Sequence, residues 1–557
     1  MRKSFLSRAT FLVVATKLFV AALPAAESAT TAPTPPSDRP ALVVGLVVDQ
    51  MRWDYLHRFA GRYGEGGFKR LLREGFSCDN LQINYVPTVT AIGHASVYTG
   101  SVPAIHGIAG NDFIVQATGE SLNCVGDSSV KPVGAAKSGG RSPRNLLANT
   151  VTDELRLATN FRSKVVGVAL KDRGAILPAG HTGTAYWFDD ATGTFGSSTY
   201  YMEALPAWVE KFNASGVVED YAKKTWDYLY PKETYVLSDV PENPYERLSN
   251  GESTGPLPLE VGKTWKDRYY GVRVSPFGNS LTLDFARAAA EGEQLGKRGE
   301  TDFLAISLSS TDAVGHLVGI NSPKIEDVYL RLDQELAAFF SWLDEQYGRD
   351  GYLFFITADH GGAHNPQYLR DRKVPAGVWD AKRHVGELNT ILERKFGEAK
   401  LVTGVNNYRV CLNNAVIAAK GLDERAIREE CVRYLTTADG VAFAVDVDRL
   451  NEATLPSLLR ERIANGFYRD RSGVVQIILK PGWFSGSALG TTHGVWNPHD
   501  AHIPFVLMGR GIKPGSTKRA TTITDIAPTI AALLNIQAPN GTIGDPVVEV
   551  FESARAR

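Results

Sequence analysis

Five short apolar runs punctuate the chain, at 41–48 (ALVVGLVV), 165–170 (VVGVAL), 303–307 (FLAIS), 352–357 (YLFFIT) and 503–508 (IPFVLM). Runs of this length, without polar alternation, suit strands covered on both faces, as in a parallel sheet. Between them lie segments with the helical period. Residues 325–347 are the clearest, with Val328, Leu332, Leu336, Phe339 and Leu343 on an apolar stripe; 281–295 and 525–534 follow the same rule. Strand and helix alternation predicts an α/β fold, a mostly parallel central sheet with helices on both faces. Two stretches break the rhythm. Residues 201–270 are rich in aromatics, Pro and Glu, and 365–487 carry strand and helix signals of their own. Both are expected as cap insertions. They divide a catalytic core into 41–200, 271–364 and 488–540, followed by a tail over 541–557.

The first residues break the pattern differently. Arg2, Lys3 and Arg8 precede a mostly apolar stretch over 11–20, and small residues follow to Ala29. That order reads as an export signal over 1–29, ahead of a Pro-rich tether over 30–40. No later segment is long and apolar enough to span a bilayer, so a periplasmic or secreted protein without a membrane anchor is expected. Export permits disulfides among the four cysteines. Cys78 with Cys124 and Cys411 with Cys431 is the expected pairing among three connectivities, four buried thiols being the alternative. Composition is globular, with 43% hydrophobic and 22% charged residues over 557, and a monomer is the expected state. The charge balance, 60 basic against 61 acidic residues, argues against a nucleic-acid-binding module. Attraction for an anionic substrate must come from local groups.

Ligands of open α/β sheets gather at the C-terminal ends of strands. Asp49 follows the run at 41–48. Asp312 and His316 follow 303–307, in SSTDAVGH. Asp359 and His360 follow 352–357, in ADHGGAH. His493 stands shortly before 503–508, in TTHGVWNPHDAH. Alone, an Asp after a strand is more often a turn or helix cap. As a set, three Asp and three His are the residue types that two zinc ions take. One helical turn would align Asp312 with His316. A tight turn before Gly361 and Gly362 would let Asp359 and His360 reach one ion. Pro87 and the run TAIGHASVYTG predict a helix beginning at Thr90, whose N-terminus offers free N–H groups to a phosphate. Taken alone, Thr90 reads more readily as an ordinary N-cap. Lys171 and Arg173 sit two apart after 165–170, so on an extended chain they share a face and Asp172 points away.

The motifs VVDQMRWD, PTVTAIGHASVYTG, HGIAGNDF, SSTDAVGH, TADHGG, THGVWNPHDAHIPF and TDIAPTIAALLNI resemble the alkaline phosphatase superfamily in order and spacing. Within it the chain is similar to the threonine-nucleophile bacterial alkaline phosphatases, over nearly all of its length after the leader. The resemblance implies that Thr90 is the nucleophile. It implies one Zn2+ on Asp49, Asp359 and His360, completed by Thr90, and a second on Asp312, His316 and His493. Asn111, Lys171 and Arg173 would bind the phosphoryl oxygens. A Ca2+ site is an added expectation with no residues attached. Thr90 followed by AIGH departs from the Cys/Ser-x-Pro-x-Arg stretch of sulfatases, which excludes that branch.

The expected substrates are small-molecule phosphate monoesters. A monoester has three non-bridging oxygens and about two negative charges, which three extra contacts suit. A nucleotide pyrophosphatase/phosphodiesterase is the alternative, since it shares the nucleophile and ligands. A non-catalytic zinc-binding protein is disfavoured because every ligand and nucleophile position is filled.

Overall fold

The computed structural model describes residues 39–134, 139–240, 243–247, 256–265 and 267–555, without the side chains of 552–555. The expected export signal lies outside the described residues, as does the tether except for its last two positions. Among the described residues no helix is long and apolar enough to cross a membrane.

A ten-stranded sheet organises the chain. At its centre Leu42–Val48 is buried along its whole length. Asp302–Leu308 and Tyr352–Thr357 flank it in parallel, with Val48 opposite Leu308 and Val47 opposite Thr357. Val165–Ala169 and Thr184–Asp189 extend the parallel part beyond Asp302–Leu308. The continuous apolar runs are explained by this burial on both faces. One expectation is corrected. The run at 503–508 forms a strand over Phe505–Gly509, but it pairs antiparallel with Tyr352–Thr357. Thr357 lies opposite Phe505, so residues before this last strand meet residues after the parallel ones at one edge. The sheet is therefore mixed, with antiparallel strands on both flanks of the parallel centre.

Helices pack around the sheet. Pro323–Tyr347 is the longest described, with Ser322 accepting from the Lys324 N–H and Pro at its first turn. The segment 201–270 adds to the same hydrophobic core through Val209, Trp226, Val261 and Trp265. Asp327 on the long helix anchors it, accepting from Trp226 Nε1 at 2.8 Å and Tyr235 OH at 2.6 Å. The segment 365–487 is built differently. It folds a four-stranded sheet, in the order Val402–Asn406, Arg409–Leu412, Val475–Leu479 and Val441–Asp446. Its helices Ala381–Phe396 and Glu424–Thr437 cover a second core around Leu388, Leu392, Ile427, Leu435 and Val475.

The expected disulfides are absent. Cys78, Cys124, Cys411 and Cys431 are buried free thiols. Burial pushes the thiols up, to about 12 for Cys78, Cys124 and Cys431 and about 11 for Cys411. Each behaves as a small apolar side chain, in a chain long enough to bury a large core without cross-links.

Candidate active site

The strand register brings distant residues to one edge. Asp49 leaves Leu42–Val48, and Ser310–Val318 begins two residues after the neighbouring strand ends. On that helix Asp312 and His316 are one turn apart, with His316 Nε2 at 3.1 Å from Asp312 Oδ1. Asp359 and His360 occupy the turn after Tyr352–Thr357. His493 arrives from the other direction, on the segment leading into the antiparallel strand.

Ten-residue helix Thr90–Thr99 runs directly beneath. Thr90 is its first helical residue, while Val89 is the N-cap and has no side-chain cap bond. Its hydroxyl therefore does not cap the helix. Thr90 Oγ1 lies 3.3 Å from His360 Nε2. The helix reaches this close because residue 93 is Gly; a Cβ there would overlap the Asp359 carbonyl oxygen and side chain.

Two ligand clusters form, Asp49 with Asp359 and His360, and Asp312 with His360 and His493. His316 joins through Asp312. His360 Nε2 is 3.5 Å from Asp49 Oδ1 and 3.6 Å from Asp359 Oδ2, and these two oxygens are buried without hydrogen-bond partners. Metal–ligand bonds of about 2.0–2.1 Å place tetrahedral donor atoms roughly 3.3 Å apart. The donor set thus fits a divalent cation. The histidines agree. His316 Nδ1 faces the Thr491 carbonyl at 3.0 Å, His360 Nδ1 that of Gly361 at 2.9 Å, and His493 Nδ1 that of Thr88 at 2.7 Å. A carbonyl at Nδ1 fixes the proton there and leaves Nε2 as a lone-pair donor.

The electrostatics make the same case. Asp49, Asp312 and Asp359 are all buried. Burial, with Asp312 and Asp359 alongside, pushes the Asp49 carboxyl well above the usual range. Burial would also raise Asp312, but His316 and Lys171 outweigh it and hold it well below. One buried ammonium is shared among these groups. Lys171 Nζ lies 2.6 Å from Asp49 Oδ2 and 2.5 Å from Asp312 Oδ2.

Lys171 and Arg173 do not share one extended stretch, contrary to expectation: Lys171 is extended and Arg173 is helical. The strand ends at Ala169, Lys171 is the N-cap of Asp172–Ala179, and Arg173 lies in its first turn. Both nevertheless line one cleft of about 470 Å³ with Asp312 and His316, and Asp172 pairs with Arg141 at 2.7 Å. Asn111 is held by its side-chain oxygen Oδ1, which accepts from the Ala91 N–H at 2.9 Å. That bond fixes the amide against the start of the Thr90 helix.

Two residues of the site were not singled out by sequence. Gln50 donates through Nε2 to Asp312 Oδ1 at 2.7 Å and through its backbone N–H to Asp359 Oδ1 at 3.1 Å. His94, buried, lies between Ser307 Oγ at 2.8 Å, the Thr90 carbonyl at 2.9 Å and Asp359 Oδ2 at 3.4 Å.

Residues 43–502 match the family described as Type I phosphodiesterase / nucleotide pyrophosphatase. The chain belongs to that family. Its relatives include a Myroides odoratus protein named calcium-transporting ATPase, 54% identical over 92% of this chain and 95% of the relative. The alkaline phosphatase PhoV of Synechococcus elongatus is 50% identical over 92% of this chain and 93% of its own length. The crystal structure of the alkaline phosphatase PafA superposes with a TM-score of 0.89 at 47% identity, covering 92% of this chain and 99% of that one. A PafA variant substituted at one Thr, one Asn, one Lys and one Arg superposes with a TM-score of 0.88.

Proposed function

We infer that the chain is an alkaline phosphatase that hydrolyses phosphate monoesters, with Thr90 as nucleophile and two Zn2+ ions as cofactors. The observation that carries this reading is the Thr90 hydroxyl at a helix N-terminus, 3.3 Å from His360 Nε2. The PafA variant adds support, since its Thr, Asn, Lys and Arg fall in the same chain order, with Lys and Arg two residues apart, as Thr90, Asn111, Lys171 and Arg173 do here.

Asp49, Asp359 and His360, and Asp312, His316 and His493, would hold the two Zn2+ ions, which would supply Lewis-acid stabilisation of developing negative charge. Thr90 Oγ1 bonds to phosphorus as the ester P–O bond breaks, and the alcohol departs with a proton. Water then hydrolyses the phosphothreonine and frees inorganic phosphate. The helix N-terminus favours negative charge at the reacting centre. Asn111, Lys171 and Arg173 bind the non-bridging oxygens, Arg in bidentate fashion and Lys as a point charge. Export to the periplasm or medium belongs to the same reading, on the basic, apolar and small-residue order of 1–29.

Thr90→Ala is expected to lower phosphate release from p-nitrophenyl phosphate by on the order of 10⁴-fold or more, with zinc content by elemental analysis unchanged. A variant as active as wild type would remove Thr90 from the mechanism. The family description favours a second reading, diester hydrolysis at the same site. A clamp of Lys171 and Arg173 suits three free oxygens and crowds an alkylated one. Lys171→Ala and Arg173→Ala should therefore depress monoester turnover more than that of bis-p-nitrophenyl phosphate; equal losses on the two would favour the diesterase.

A further inference from the structure

We propose that the active-site cleft contains a second phosphoryl subsite, built on Arg247 and Arg273, for a phosphoryl group carried by the leaving group. The proposal rests on the phosphatase reading above and extends it to phosphoanhydrides such as nucleoside diphosphates. The cleft that holds Lys171, Arg173, Asp312 and His316 is also lined by Arg247 and Arg273. Among the described residues, four side-chain cations thus line it against the single carboxylate of Asp312.

The cations are not equally satisfied. Lys171 is paired with Asp49 and Asp312. Arg273 pairs with Asp190 at 3.0 Å and donates to the Leu170 carbonyl at 2.9 Å. Arg173 has, among the described residues, only the carboxylate of Asp172, at 3.8 Å. Arg247 has no carboxylate partner among the described residues. The Nε groups of Arg173, Arg247 and Arg273 are all buried without a hydrogen-bond partner. A partly desolvated guanidinium whose charge is left without a carboxylate costs free energy, and an anion bound in the cleft offsets that cost through the charge.

Arg247 is held in place rather than trailing from a loop. Its backbone N–H donates to the Leu317 carbonyl at 2.9 Å, next to His316, and Gly490 N–H donates to the Tyr245 carbonyl at 2.6 Å. Glu246, between them, is buried in an ion pair with Lys324. Gly490 gives the guanidinium room, since a Cβ there would stand 3.0 Å from Arg247 Nε. Burial raises the Tyr270 phenol, while the charges of Arg273 and Arg247 act on it in the opposite sense. Tyr270 lines the same cleft as the two guanidinia.

A neutral alcohol leaving group has no use for this second pair of cations. When a nucleoside diphosphate reacts, Thr90 Oγ1 bonds to the terminal phosphorus. The bridging P–O bond breaks with its electron pair, the nucleoside monophosphate leaves as an anion, and the Thr90 hydroxyl proton is released to solvent. That anion matches the forked donors of arginine.

The test compares kcat/KM for ADP and methyl phosphate under buffered zinc. Arg247→Ala should lower the ADP to methyl phosphate ratio about tenfold, as expected for the loss of a charged hydrogen bond, with the change mainly in the KM for ADP. Arg247→Lys should recover part of the ratio. In the wild-type enzyme, added salt should raise KM for ADP more than for methyl phosphate. An unchanged ratio in Arg247→Ala, or equal salt dependence of the two KM values, would overturn the subsite. Failure of the wild-type enzyme to release phosphate from methyl phosphate would instead overturn the phosphatase reading itself.

Discussion

Gln50 holds two of the three buried carboxylates at once, Asp312 through its side chain and Asp359 through its backbone. It does so from a left-handed backbone, φ +64°, a region that residues other than Gly seldom occupy. A neutral amide donor suits this place, because it orients carboxylates without adding charge. Gln50→Ala should weaken binding of the divalent metal, tested with zinc, roughly 10–100-fold, the range for groups that orient metal ligands. Activity should fall at low zinc and recover as zinc is added. Wild-type zinc affinity in that variant would reduce Gln50 to a packing residue. That Asp49, Asp312, Asp359 and His360 would gather at one sheet edge was legible in the sequence, because each stands at or just after the end of an apolar run. Gln50 and His94 were not. Their partners lie far away in the chain, 262 and 309 residues for the two bonds of Gln50, and no local spacing marks a residue that acts through such contacts. Thr90 shows the opposite error of scale. Its sequence context reads as a helix start, and only its place one residue inside the helix frees the hydroxyl from capping.

At the scale of elements, the site is a meeting of strand ends with one helix. The continuous apolar runs disclosed the strands, but apolar content carries no direction, so the antiparallel sense of Phe505–Gly509 could not be read from it. That sense is what delivers His493 to the edge where Asp49 and Asp359 emerge. Lys171 and Arg173 illustrate a related limit, since a strand end and a helix start share the same few residues. The approach of the Thr90 helix to the Asp359 turn depends on Gly93. A methyl group there meets backbone and Cβ atoms that have no flexible end to yield, so helix and turn must separate. Gly93→Ala should cost about 1–3 kcal/mol of stability through overpacking. It should also lower kcat/KM by on the order of 10²-fold, because small misplacements of reacting groups are expensive. Thermal melts and phosphatase assays on the purified variant check both, and unchanged kcat/KM would mean that the helix position is not critical.

Across the whole molecule, the segments 201–270 and 365–487 are held in different ways. The segment 201–270 contributes Trp226 and Val261 to the main core, whereas 365–487 encloses a core of its own. The junction is polar as well as apolar. Buried Arg409 reaches out of the second segment to the Val86 carbonyl at 2.8 Å, four residues before Thr90. Composition and rhythm marked both segments as departures from the core, but whether each would own a core depends on long-range packing that no local pattern records. The cysteines follow the same division, Cys78 in a strand of the main sheet, Cys411 in a strand of the second sheet and Cys431 in the second core. All four are free and buried, so no cross-link constrains the unfolded chain. Removing a native disulfide typically costs about 2–5 kcal/mol, which in a melting experiment is a shift of several degrees. Dithiothreitol should therefore leave Tm unchanged. Thiol titration should find four reactive groups only after denaturation, since burial both shields the sulfurs and holds their pKa values near 11–12. A fall in Tm on reduction, or fewer than four thiols in the denatured chain, would restore the disulfide that an exported sequence first suggests.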